Sequence, residues 1–429
     1  LPDDNLTIGD IGKPPGSRYN QCHSQQGKVS LMTAANDHDH LETRLIRTRT
    51  PASANREAIS PIYLASGFTF DDAEQARSVY GGEQPGYVYT RWENPNSDEL
   101  VARLCLLEGA EAGLAVASGM AAIFTALAGL LNAGDHVLAS RSIFGATHQI
   151  LTGVLPRWGI SHTFADPGDV AAWADLFRPE TRVCMVETPS NPGLDLVDLA
   201  ALSVLCRARD VVLVVDNTFA TPILQRPLAL GADVVVHSTT KFLDGQGRTI
   251  GGAILGDRFT IGELTRFAHQ IGPTMSPFNA WLISEALELL PLRMAQHSRN
   301  ALTLAQWLED NDRVRNVRYP YLASHLQHEL ARRQMSAGGG IVTFEVVGGL
   351  AAGRRFLDAL QLCDIAANLG DVRTIATHPA STTHSSLSAA DQLAAGITPG
   401  LVRVSVGLEH SDDVIADIAQ ALIAASAAG

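Results

Sequence analysis

The chain lacks long apolar runs: every hydrophobic stretch is interrupted by a charge or a glycine well before the roughly 18 residues that a membrane-spanning helix needs. It has few cysteines. The five, at positions 22, 105, 184, 206 and 363, form no CxxC pair and no disulfide-rich spacing, which points to a reducing compartment. No charged, apolar and small-residue succession marks a secretory signal, so a cytoplasmic location is expected. Positive charge is scarce as well: 32 basic residues face 45 acidic ones, for a net charge of -13 and a pI near 5.5. That balance works against a nucleic-acid surface, because phosphate binding requires clustered cations. His378 and His384, flanking Thr383, are without further ligands at a metal-binding spacing, and structural or substrate-channel roles are expected of them instead of a metal.

What is present is a large apolar content, 46% of 429 residues, enough for one large domain and a second smaller one. Residues 1–58 read as an N-terminal extension, partly disordered; the first 31, which precede Met32, read as an upstream remnant. Residues 59–96, rich in Gly, Pro, Tyr and Asn, read as an extended arm. Asn96, with Glu99 three positions on, is the expected cap of a helix that carries Leu100, Val101, Leu104 and Leu107 and stops at Gly109.

From Gly113 onward LAVAS, HVLAS, RVCMVE, VVLVV and DVVVH alternate with helical segments, the pattern of a mostly parallel sheet covered by helices. After Pro277 a long helix is expected to break at Pro291. GGGIVTFEVV, a helix after Gly353 and LVRVSVGLE then predict a smaller α+β domain, which places a domain boundary near residue 290.

Two of the strand-like runs end in chemistry. VVLVV leads to Asp216, and DVVVH leads through Ser238, Thr239 and Thr240 to Lys241. Parallel strands of this kind open to ligand at their carboxyl ends, where a desolvated lysine becomes a nucleophile and a carboxylate can pair with a protonated pyridine nitrogen. A surface lysine at a strand exit and a capping aspartate before Thr218 are the structural alternatives. Ser118-Gly119-Met120 lies between a strand and a helix, where backbone amides receive phosphate. Ser238 and Thr240, two apart in an extended segment, face one side together. Arg91, beside Tyr89 and Trp92, reads equally as an interface cluster, and Arg403 in its alternating strand reads equally as solvent-facing. Cys184 reads as buried.

The motifs GYVYTRWENPN, ASGMAAI, VETPSNP, VDNTFATP, HSTTK, SPFNAW, THPASTTH and LVRVSVGLE together resemble the cystathionine gamma-synthase family of pyridoxal-phosphate-dependent enzymes of cysteine and methionine metabolism. The likeness extends from about Ile59 to about Ile423. It implies the aspartate-aminotransferase-like fold type I, with a cofactor domain over 97–290 and a substrate domain over 291–429. It implies Lys241 as the residue that links to pyridoxal 5′-phosphate and moves protons between substrate carbons, and Asp216 as the partner of the ring nitrogen. Gly119, Met120, Ser238 and Thr240 would bind phosphate, with Tyr89 and Arg91 supplied by a neighbouring subunit in a tetramer built from dimers. Phe144 would stack on the ring, and Asn191, Asn368 and Arg403 would hold substrate, Arg403 by a bidentate pair with its carboxylate.

Two departures narrow the reaction, and a third leaves it unchanged. Phe144 stands where many relatives carry a tyrosine, so no hydroxyl is available there for proton transfer. Ala146 occupies the place of a cysteine usual in methionine gamma-lyases. Ala286 replaces a glycine and favours helix continuity without implying a change of chemistry. FGAT, STTKFLDGQGR, Asn368-Leu369-Gly370-Asp371 and THPASTTH together resemble the O-succinylhomoserine sulfhydrylase branch, whose substrates are an O-acylhomoserine and sulfide and whose product is homocysteine. Cystathionine gamma-synthase, O-acetylhomoserine sulfhydrylase, a gamma- or beta-lyase and an inactive binding scaffold are the alternatives at this stage.

Overall fold

The computed structural model describes residues 38–426 except 384, 386, 387 and 395. The expectations for residues 1–31 and for His384 therefore lie outside the described residues.

Seven strands form the larger sheet: β1 (Ala112–Val116), β2 (His136–Ser140), β3 (Ser161–Ala165), β4 (Thr181–Glu187), β5 (Val212–Asp216), β6 (Val234–Ser238) and β7 (Gly252–Gly256). Their order is β1-β7-β6-β5-β4-β2-β3. All neighbours are parallel except β7, which runs antiparallel to both β1 and β6. Strand β7 has glycine at both ends and no strong strand signal, and its glycines have a packing cause. A Cβ on Gly252 would strike the Ser118 carbonyl, and one on Gly256 would lie 2.7 Å from the Asp233 carbonyl. Helices cover both faces, as the continuous burial of β2, β5 and β7 requires. Helices Gly119–Leu130 and Arg258–Ile271 pack on one face, and Leu199–Arg207 packs on the other.

The smaller sheet comprises β8 (Val314–Arg318), β9 (Ile341–Val346), β10 (Asp364–Ile365), β11 (Ile375–Thr377) and β12 (Leu401–Ser405), in the order β10-β11-β12-β9-β8. Helices Gly349–Ala359 and Ser411–Ser426 cover it. The first of these begins four residues before the position expected from sequence. Gly353 lies inside it because the His378 ring packs directly against its backbone, where a side chain would not fit.

Pro291 sits in the first turn of helix Leu290–Glu309, so the break falls before it, at Glu288 and Leu289, which separate this helix from helix Pro277–Leu287. The 20-residue helix ties the two units together: Leu290 and Met294 belong to the core under the larger sheet, and Ala301, Leu304 and Leu308 to the core of the smaller one.

The helix expected to be capped by Asn96 starts earlier, at Pro95, with Asn94 as the cap. Pro95 suits the first helical position because its fixed φ is helical and its missing N–H is not needed there. Asn96 and Glu99 are thereby freed to clamp the arm. Asn96 Oδ1 accepts from Tyr63 N–H and its amide donates to Pro61 O, both at 2.8 Å. Glu99 Oε2 accepts from Thr50 N–H at 2.7 Å and from Ser60 Oγ at 2.6 Å, and its other oxygen pairs with buried Arg103 at 3.2 Å. Glu99→Ala should cost about 3 kcal/mol, the scale of breaking a buried pair. Urea unfolding should show that loss, together with faster proteolysis between residues 49 and 60.

Candidate active site

The parallel strands deliver polar residues to one edge of the larger sheet. Asp216 ends β5, Glu187 ends β4 as its register partner, and Ser238 ends β6. Asp216 is buried; one of its carboxylate oxygens accepts from Thr218 N–H at 3.0 Å, while Thr218 Oγ1 accepts from Ser238 N–H at 2.9 Å. Burial holds the Asp216 carboxyl above its ordinary range, against the opposing pull of the Thr218 hydrogen bonds and of His237. A cation brought to Asp216, such as a protonated ring nitrogen, would reverse that shift. Glu187 is held well above the carboxylate range, first by burial and then by the Asp216 charge.

Lys241 lies in the turn that follows β6. Its Nζ donates to Asn368 Oδ1 at 2.6 Å. Burial, followed by repulsion from Arg403, pushes its pKa down to about 8. The turn is pinned from below by buried Arg293, which donates to Phe242 O at 2.6 Å, Leu243 O at 3.2 Å and Ala286 O at 2.9 Å. Gly370, at φ 77°, lets the 368–371 turn press against the same backbone, because a Cβ there would come within 2.5 Å of Phe242 N.

Arg403 occupies the centre of β12, flanked by β11 and β9. It is buried, and burial pushes it down to about 10 with no carboxylate to oppose the shift. Its Nη1 donates to Asn191 Oδ1 at 3.0 Å and its Nη2 to Asn368 O at 3.1 Å. Buried Nε has no hydrogen-bond partner. A buried guanidinium with neutral neighbours and an unspent donor is suited to an incoming carboxylate.

On the other side of Asp216, Ser118 caps helix Gly119–Leu130 by accepting from Ala121 N–H at 3.0 Å. Gly119 and Met120 therefore form its first turn, where free amides attract phosphate. A side chain at Gly119 would lie 2.6 Å from Ser238 Cβ, so the glycine keeps the serine hydroxyl beside the helix terminus. Thr240 hydrogen-bonds Gly251 through both its oxygen and its proton, at 3.1 and 3.2 Å, which fastens the segment before Lys241.

Phe144 is 42% exposed, so its ring can take a stacking partner, and its N–H donates to Glu187 Oε2 at 2.6 Å. Tyr89 and Arg91 stand apart from this cluster within the chain. The Arg91 guanidinium donates to His269 O and lies 5.6 Å from the Tyr89 ring centroid and 5.7 Å from that of Trp92. His378 is fully buried between Ser381 Oγ at 2.7 Å and Pro399 O at 2.8 Å, a structural placement.

Sequence reasoning passed over Glu187 and the hydroxyl of Thr218. It also passed over a signal in composition: the chain has three lysines, Lys13, Lys28 and Lys241, so Lys241 is the only one among the described residues. The donor set fits pyridoxal 5′-phosphate. Asp216 can face the ring nitrogen, Lys241 the carbonyl carbon, the Gly119–Met120 turn with Ser238 the phosphate, and Phe144 the ring.

Residues 42–423 match the family described as Cys/Met metabolism PLP-dependent enzyme. The chain is 46% identical over 386 residues to an O-succinylhomoserine sulfhydrylase of Pseudomonas aeruginosa, covering 90% of this chain and 95% of the relative. It is 43% identical over 369 residues to an L-methionine gamma-lyase of Porphyromonas gingivalis, covering 85% and 92%. Among solved structures, metB from Corynebacterium glutamicum superposes with a TM-score of 0.85 at 35% identity, covering 90% and 98%. A Campylobacter jejuni metY structure containing N′-pyridoxyl-lysine-5′-monophosphate superposes with a TM-score of 0.86 at 33% identity, covering 90% and 100%.

A lysine near pH 8 is about half neutral there, whereas an ordinary lysine is well under 1% neutral. In cofactor-free protein, reductive methylation of Lys241, followed by peptide mass spectrometry, should therefore rise through pH 8. Arg403→Ala removes a repelling cation and should move that midpoint upward.

Proposed function

Since the chain belongs to the pyridoxal-phosphate-dependent enzymes of cysteine and methionine metabolism, we propose that it is an O-succinylhomoserine sulfhydrylase, replacing the succinyloxy group of O-succinyl-L-homoserine by sulfide to give L-homocysteine and succinate. The observation that carries the site reading is the Lys241–Asn368–Arg403–Asn191 chain of hydrogen bonds, which sets a basic amine beside a guanidinium with no carboxylate partner. The sulfhydrylase assignment is supported by the 46% identical relatives bearing that name.

The cofactor, pyridoxal 5′-phosphate, supplies an electron sink for charge developed at the substrate's α and β carbons. The chain supplies the rest. Asp216 would hold the ring nitrogen, and Gly119, Met120, Ser238 and Thr240 would form the phosphate side, which Tyr89 and Arg91 of a neighbouring subunit would complete in a tetramer built from two dimers. Arg403 takes the substrate carboxylate with its free Nε and an adjacent nitrogen, while Asn191 and Asn368 hold the guanidinium in place.

Lys241 then acts as the base at the α carbon and next at the β carbon. Its depressed pKa makes the neutral amine available near pH 8. Phe144 excludes water above the ring and contributes no proton. The gamma-lyase relatives favour elimination without replacement as a second reading. Ala146, in the first turn of helix Gly145–Gln149 beside Phe144, offers no thiol to that chemistry.

The test offers O-succinylhomoserine or O-acetylhomoserine with sulfide or with cysteine, and methionine alone, and identifies every product. Homocysteine from the succinyl ester and sulfide is expected to dominate. Preferential cystathionine formation, or release of methanethiol from methionine at a comparable rate, would sink the assignment. Arg403→Ala should raise KM for the ester roughly 10- to 100-fold, the range for losing a charge-assisted pair. Lys241→Ala should abolish both turnover and the covalent cofactor band in the visible spectrum.

A further inference from the structure

Glu187 is a buried carboxyl at the edge of the cofactor crevice that no step above employs. It stands beside Asp216, its register partner on the adjacent strand, and an apolar residue there would avoid placing two acids side by side. Its backbone contacts explain its presence. Oε2 accepts from Phe144 N–H at 2.6 Å, and the backbone amide of Asn191 lies close enough to the carboxyl to oppose its upward shift. Phe144 carries the exposed ring, and Asn191 carries the amide that receives Arg403. One side chain at the end of β4 therefore holds the loop after β2 beside the loop that leads to Asn191.

We propose that Glu187 is a positioning residue that fixes the spacing between the Phe144 loop and the Asn191 loop, and thereby sets how firmly the cofactor is retained and how well Arg403 is aimed at substrate. The proposal rests on the cofactor reading of this site. Phe144 stands at the start of helix Gly145–Gln149 with no side-chain cap; its carbonyl is held by His148 N–H, and its own N–H is held by the Glu187 carboxyl. Burial and the neighbouring Asp216 favour the neutral acid, and a neutral glutamate is closely imitated by glutamine. Glu187→Gln keeps an acceptor oxygen of the same reach. Glu187→Met fills the space and removes the acceptor.

Cofactor dissociation from holoenzyme is followed by decay of the visible band in the presence of an apo-protein trap, with thermal unfolding as the control for folding. Glu187→Met should release cofactor roughly tenfold faster than the parent, as expected for one lost buried hydrogen bond, and should raise KM more than it lowers kcat. Glu187→Gln should stay within about twofold of the parent on both counts. In Phe144→Ala background, where the ring is already gone, adding Glu187→Met should change the release rate far less than it does in the parent.

The proposal is overturned if folded Glu187→Met retains cofactor like the parent, if Glu187→Gln behaves like Glu187→Met, or if the Phe144 and Glu187 effects add in full. If Glu187→Met does not fold, Glu187→Leu, which also removes the acceptor, takes its place under the same criteria, and a Glu187→Gln protein that loses cofactor roughly tenfold faster than the parent overturns the proposal by itself. Parent protein that takes up no cofactor at all would instead defeat the reading on which the proposal rests.

Discussion

Lys241 and Arg403 bring two like charges into one buried crevice, and much of the site follows from how that unfavourable arrangement is tolerated. Each cation is pushed toward its neutral form by burial, and Arg403 adds to the shift of Lys241. The protein answers with neutral acceptors. Asn368 presents its side-chain oxygen to Lys241 and its carbonyl to Arg403, and Asn191 presents its side-chain oxygen to Arg403. These dipoles orient the cations without cancelling them, so their attraction for an anion is kept. A carboxylate in either position would have satisfied the chain and weakened the site.

The same constraint explains why the site lies between two sheets. Lys241 and Asp216 depend on the larger sheet, and Asn368 and Arg403 on the smaller, so the 2.6 Å contact across them requires the two units to be held in fixed register. Helix Leu290–Glu309 does this by lying in both cores. Arg293 projects from its first turns to hold the backbone just after Lys241, and Gly370 lets the partner turn approach that same backbone. Packing and electrostatics meet there, because a small shift of the helix would open the gap between the amine and its acceptor.

The larger sheet was legible where strands were buried on both faces and ended in a polar residue, as in VVLVV to Asp216 and DVVVH to Ser238. Strand β7 was not, because its glycines answer to close backbone contacts with Ser118 and Asp233 instead of to strand propensity. Asn94 displaced Asn96 as the helix cap because Pro95 fixed the start of the helix, a local rule that outweighed the capping pattern. Lys241 and Asp216 could be placed from strand ends alone. Arg403 could not, since an arginine in an alternating strand ordinarily faces water, and only the packing of the second sheet shows it turned inward. Glu187 was hidden within VETPSNP: its partners, the amide of Phe144 and the adjacent Asp216, are 43 and 29 positions away.

The Asn368 contact also bears on proton transfer. A neutral amine has two hydrogens and one lone pair, so donating one hydrogen to Asn368 Oδ1 restricts where the lone pair can point. The lone pair is thus confined to a cone about that hydrogen bond, which in the proposed reaction would let it reach neighbouring carbons in turn. With phenylalanine at position 144, no hydroxyl on that side competes for the proton, and Asp216 and Glu187 are engaged at the strand ends. In the proposed reaction, transfer between the α and β carbons would therefore fall to Lys241. The depression of its pKa to about 8 would let one group both take up the proton and give it back near neutrality.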